Sequence, residues 1–217
     1  MSKRVFLAML LMVLAGVALS MVAPERTNSQ MAALTTENPI QVNKAEGTIS
    51  FLAAVNGKYF LNPTRHAAVY AGGKFGDKSV FTSYASPKAF HDALVEIGAK
   101  AGENMTMENK EKTSVQGDLL DVTVTWKGAP KSYTLDEVIK DSNGKPMAIR
   151  FGGNLPLSLE KNTGCLICLD SCPVGICSNS TYSYGAVETR SEVSFVGNKD
   201  ILPPDGSLVV ITVKKRT

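Results

Sequence analysis

Alternation between apolar and polar positions organises most of this chain. Leu120, Val122, Val124 and Trp126 recur at every second residue and predict a strand over 119–126. Thr48 to Val55 predicts another. Asn56-Gly57 follows it, and such a pair signals a hairpin because both turn residues need positive φ; Lys58 to Leu61 is expected to return alongside. Further short strands are expected over 67–71, 79–84, 147–151, 191–196 and 207–213. Helical periodicity is scarcer. Ser86-Pro87 supplies an N-cap and a first-turn proline, and Phe90, Ala93, Leu94 and Ile97 form one apolar stripe that stops at Gly98. Thr134-Leu135-Asp136-Glu137 is a capping box for a short helix to Lys140. With no regular βαβ alternation, these elements predict an α+β fold: a mostly antiparallel sheet, one or two short helices and a cysteine-rich loop.

The first 23 residues follow a different pattern. Lys3 and Arg4 precede an uninterrupted apolar or small run from Val5 to Ala23. This is the form of a signal peptide, with Ala18-Leu19-Ser20 offering a cleavage site. The run is also long enough to serve as an N-terminal membrane anchor if it is not cleaved. Either way the bulk of the chain is expected outside the cytoplasmic membrane, periplasmic or otherwise extracytoplasmic. Ser2-Lys3-Arg4-Val5-Phe6-Leu7 is similar to a twin-arginine export signal with Lys in place of the first Arg. Residues 24–44 are polar without a sustained period and are expected to be a flexible linker. The folded domain is expected over 45–217.

Composition narrows the function classes. Hydrophobic residues make up 44% and charged residues 20%, values that support one globular core. The net charge is +3, and it falls to +1 once Lys3 and Arg4 leave with a cleaved leader. No basic cluster suits nucleic acid; the terminal Lys214-Lys215-Arg216 reads as a solvated tail. The Gly72-Gly73-Lys74-Phe75-Gly76 loop lacks Walker spacing and reads as a turn, and no G-x-S-x-G or H-E-x-x-H motif is present. Hydrolase and NTPase chemistry is therefore not expected.

The chemistry concentrates at residues 163–178. All four cysteines, Cys165, Cys168, Cys172 and Cys177, fall there with the spacing C-x2-C-x3-C-P-x3-C. Thiols this close can converge on one centre if the chain turns tightly, and Gly164, Pro173 and Gly175 suit such turns. Leu166, Ile167, Val174 and Ile176 would shield the centre from water. Four thiolates in an apolar setting suit a 4Fe–4S cluster. Zinc and a pair of disulfides use cysteines in related spacings, and free thiols are the remaining alternative.

Gly164-Cys165-Leu166-Ile167-Cys168, Ser171-Cys172-Pro173-Val174-Gly175 with Ser178-Asn179, and Asn62-Pro63-Thr64-Arg65-His66 with Val69-Tyr70 carry a resemblance. So does the segment Ala93-Leu94 through Gly98-Ala99-Lys100. Together they resemble the YdjY-type domain of exported bacterial proteins, over about 41–213. The resemblance implies a 4Fe–4S cofactor and takes the first three cysteines as the family pattern. It also draws in His66, as a ligand or proton relay near the cysteines, and Arg65, as the partner of a carboxylate or anion. His91, on the helix, reads as a surface residue, and Met105 and Met107 as packing.

The expectation is a non-enzymatic, exported iron–sulfur protein that passes single electrons to a redox partner protein. Its ligands would be Cys165, Cys168, Cys172 and Cys177, with His66 and Arg65 around them. The alternative is an envelope binding or assembly module whose cysteine loop is stapled by two disulfides or a structural zinc, with membrane contact only through an uncleaved leader.

Overall fold

The computed structural model describes residues 33–216. The expected leader and the first part of the expected linker lie outside them. In chain order the elements are β1 (Ile40–Asn43), β2 (Thr48–Val55), β3 (His66–Tyr70), β4 (Phe81–Ser83), α1 (Pro87–Glu96), β5 (Leu120–Thr125), β6 (Tyr133–Thr134), α2 (Leu135–Val138) and β7 (Ile139–Asp141). They continue with β8 (Ile149–Phe151), α3 (Leu155–Lys161), β9 (Cys165–Cys168), β10 (Cys177–Asn179), β11 (Phe195–Gly197) and β12 (Leu208–Lys215).

Ten strands form one sheet: nine run in the order β6-β5-β12-β2-β4-β3-β9-β10-β8, and β1 pairs with β2 beside that path. β1 and β4 share one edge of β2: β1 covers Thr48 to Phe51 and β4 covers Ala53 to Val55. β12 takes the other edge over Thr48 to Ala54. All pairings are antiparallel except β3 with β4 and β9 with β10. The sheet curls until its end strand meets its beginning, as Arg150 of β8 bridges Leu119 just ahead of β5. Curling encloses a core that includes Phe51, Phe81, Phe151, Leu166, Ile167 and Ile211. The stripe of α1 closes onto it, with Phe90 edge-on to Phe51 at 5.2 Å between ring centroids. β7 and β11 form a separate two-stranded ribbon.

The architecture corrects the expected α+β class. Among the described residues the chain is mostly β, and its three short helices are accessories to one curled sheet. Helix α2 illustrates why. Its capping box forms, yet β-branched Val138 and Ile139 carry the backbone directly into β7 after four residues. Helix α3 was not expected. Segments read as loop or linker became strands instead: β1 lies inside the expected linker, and the cysteine loop contains β9 and β10. The Asn56-Gly57 hairpin does not form. Gly57–Phe60 is a 3-10 turn, capped by the Asn56 side chain accepting the Lys58 N–H, and Gly57 N–H donates to Asp205 Oδ1 at 2.7 Å.

Candidate metal centre

β3 and β9 lie side by side within the sheet, and neither keeps strict alternation. Their register runs His66–Cys168, Ala68–Ile167 and Val69–Cys165, slipping between each pair. Such slips let residues three apart share a face. Ala67, Ala68, Leu166 and Ile167 accordingly pack into the main core, while Val69, Cys165 and Cys168 form a second buried cluster with Cys172. His66 faces the same cluster. Its ring nitrogen and the sulfurs of Cys165 and Cys168 all lie within 4.8 Å of one another, and Cys165 Sγ is 3.6 Å from His66 Nδ1.

The turn after β9 brings in Cys172. Asn154 Nδ2 donates to the carbonyls of Cys172 and Gly175 at 3.1 and 3.2 Å and pins that turn. Gly175 is the tightest point: a Cβ there would lie 2.8 Å from Cys168 Sγ. Cys177 takes another direction. It pairs with Ile167 across β9 and β10 and belongs to the main core. Burial alone pushes its thiol up, with no neighbouring thiol contributing. Of the four expected cysteines, the structure brings Cys165, Cys168 and Cys172 together with His66 and places Cys177 in the main core. All four cysteines are free. A staple of two disulfides would need a thiol beside Cys177, and the geometry provides none.

Electrostatics make the pocket a poor place for bare thiolates. Sharing hydrogen bonds with a neighbouring thiol, together with burial, holds Cys168 and Cys172 protonated well above the ordinary range. A bound cation would remove that obstacle, because thiolates ligate metal only once deprotonated. His66 is ready to ligate: burial first, and then the Arg65 charge, push it down to about 4, so it is neutral at pH 7. Arg65 itself is fixed by Asp170. Its Nε and Nη2 both reach Asp170 Oδ1, at 3.1 and 2.6 Å, and Asp170 Oδ2 accepts the Gly185 N–H at 3.1 Å. Burial opposes the guanidinium charge, but Cys172, Asp170 and Cys168 outweigh it and hold Arg65 firmly protonated. Burial pushes the Asp170 carboxyl up, and Arg65 pulls it back. Tyr184 covers the guanidinium at 4.6 Å.

The donor set fits a thiophilic metal. Two thiols and a neutral imidazole within 4.8 Å of one another, with the Cys172 thiol buried beside them, are the donor types that such a metal takes. Ser178 offers a second sign: its hydroxyl is buried without a partner, and it pairs in register with Cys168. An unspent buried donor in register with Cys168 suits a site where a thiolate would carry charge. The 3.6 Å between sulfur and nitrogen is also about the separation around a tetrahedral ion with bonds near 2.3 and 2.0 Å.

Sequence reasoning singled out Arg65, His66 and all four cysteines; the structure gathers Arg65, His66, Cys165, Cys168 and Cys172 and leaves Cys177 in the main core. It missed Asp170, Asn154 and Tyr184. Asp170 lay within the cysteine loop and could have been matched to Arg65 by charge; the others left no signal in the sequence. His91 packs against Phe151 at 5.3 Å, away from this group.

A family described as YdjY domain matches residues 40–214. An Escherichia coli (strain K12) protein with the name Uncharacterized protein YdjY is 54% identical over 181 residues, covering 83% of this chain and 80% of that protein. No solved structure matches.

Proposed function

The chain belongs to the YdjY family, and from the pocket it carries we propose that it is an exported iron–sulfur protein that passes single electrons, its centre held by Cys165, Cys168, Cys172 and His66. The observation that carries this reading is the convergence of these donors in one buried pocket. When bound there, a 4Fe–4S cluster supplies a one-electron couple whose potential follows ligand type, charge and hydrogen bonding to sulfur. The chain's own residues set those terms. His66 replaces one anionic ligand by a neutral one, which raises the potential. Arg65 places a buried positive charge against Cys168 and Cys172 and favours the more negative, reduced state. Ser178, in register with Cys168, holds a buried hydroxyl without a partner. Full burial keeps substrates away from the ligands, which suits electron exchange with a partner and disfavours catalysis on a bound molecule.

A second reading rests on one observation, the 3.6 Å between Cys165 Sγ and His66 Nδ1. That separation favours a single zinc, which would make the pocket a structural staple in an envelope binding module.

Anaerobic purification after expression with iron and sulfide available decides between them. The expected product is brown and contains iron and acid-labile sulfide in equal amounts. His66→Gln and Cys172→Ser should lose most of both, and Cys177→Ala should keep them. A colourless protein holding one zinc would sink the electron-carrier reading. Loss of the metal in Cys177→Ala but not in His66→Gln would sink the ligand assignment.

A further inference from the structure

His66 is the least enclosed of the four donors, at 6% exposure against 0%, 0% and 2% for Cys165, Cys168 and Cys172. Electron exchange with a large partner favours the shortest way out, and that way runs through this imidazole. Above it lies Phe75, stacked on the ring at 5.7 Å and 27°. Phe75 is half-buried, so its outer face reaches the surface. Two exposed lysines flank it: Lys78 Nζ is 5.1 Å and Lys74 Nζ 6.0 Å from the ring centroid. Neither forms an ion pair among the described residues.

This platform is held firmly from behind. Lys74 N–H donates to Asn162 O at 2.7 Å and Phe75 N–H to Thr163 O at 3.2 Å. Gly73 lies so close to Gly164 that a Cβ would come within 2.4 Å of the Gly164 Cα. The acids nearby are few. Asp77, exposed on the same segment, leaves it net positive, and Glu188 is drawn to Arg65 at 3.6 Å.

We propose that Lys74, Phe75 and Lys78 form the docking face for an acidic redox partner protein, with the Phe75 ring seated against the partner above His66. This rests on the electron-carrier reading. An aromatic contact ringed by lysines gives a small, desolvated centre within a steering field, the arrangement that speeds encounter with an oppositely charged protein. A cluster held by the cysteines and His66 would supply one electron to the partner docked on this face, with no bond made or broken.

Two measurements on the full chain test it. In the first, metal-free protein is titrated with poly-L-glutamate at low salt and followed by amide NMR. The signals of residues 74–78 should move, and the Lys74→Glu/Lys78→Glu variant should abolish the response. Shifts confined to Lys214, Lys215 and Arg216 would overturn the proposal. In the second, the reduced, iron-loaded protein is oxidised by ferricyanide or by the cationic tris(phenanthroline)cobalt(III). At equal iron content the double variant should react roughly tenfold more slowly with the anion and faster with the cation, and salt should erase the difference. Unchanged rates with both reagents would also overturn it. If the wild type takes up no iron, the electron-carrier reading falls, and the NMR titration alone decides whether this face binds an acidic partner.

Discussion

Arg65 and Asp170 bury opposite charges at 7% and 0% exposure, and the Arg65 charge acts on Cys168 and Cys172. Neither charge is tolerable there alone. Removing one member of a buried pair leaves the other uncompensated, at a cost of about 3–5 kcal/mol, whereas replacing both by apolar residues of similar size is often near neutral. Arg65→Met should therefore destabilise the metal-free protein by that order in urea unfolding, and Arg65→Met/Asp170→Leu should recover most of the loss. Equal losses in the single and double variants would mean that Arg65 acts through something other than its partner. The stack on Tyr184 is the obvious rival, since Lys110 sits over the same ring at 4.4 Å and would be disturbed with it. Arg65 and His66 could be singled out from the sequence because they lie in Asn62-Pro63-Thr64-Arg65-His66, one of the segments that carry the family resemblance. Asn154 could not, because its role depends on a positive φ of 21° and on a turn that comes later in the chain.

At the scale of the element, the site depends on irregularity in β3 and β9 and on the turn between β9 and β10. Gly175 is where that turn closes on Cys168 Sγ, and Ser178 Oγ and the Cys177 carbonyl are each 3.1 Å from where its Cβ would be. Gly175→Ala forces either the turn or the sulfur to move. Overpacking of this kind costs about 1–3 kcal/mol, and here the strain falls on a ligand. The expected result is a modest loss in urea stability together with metal release at markedly lower chelator concentration. A variant that lost stability but kept its metal as tightly would show that the turn can yield away from Cys168. The same elements show what the chain's pattern could reveal. β5 was legible because its alternation is regular, and β2 and β12 because they are long apolar, β-branched runs bounded by turn residues. Helix α1 was legible from Ser86 accepting the Ala89 N–H and from Pro87 in its first turn. β9 and β10 were hidden: both are buried throughout, so no polar position marks a period, and the cysteines drew attention to the loop rather than to the strands inside it. The Asn56-Gly57 signal misled because Gly57 takes a negative φ under the pull of Asp205, a residue far along the chain.

For the whole molecule, the curled sheet ties the pocket to global stability, because β3 and β9 also line the main core. What the pocket binds, a proton or a metal, should therefore show in the unfolding free energy. His66 is pushed down to about 4 in the folded chain, against 6.5 when unfolded. Between those values the unfolded state binds more protons, so stability rises with pH across this window and is lost as pH falls through it. Above 6.5 the contribution is fully present; below 4 it is gone. A difference of this size corresponds to roughly 3 kcal/mol. Carboxylates titrate over part of the same range, so the informative quantity is the gap between wild type and His66→Gln. Urea unfolding of metal-free protein at pH 4, 5, 6 and 7 should give a steeper pH slope for the wild type, and the variant should lose that extra steepness. Metal loading should lift the wild type at every pH where the ligands can bind it, by an amount that grows with metal concentration. It should lift His66→Gln far less. Parallel slopes for wild type and variant would mean that the imidazole is open to water in solution, and with that the dry pocket on which the metal assignment depends would be lost.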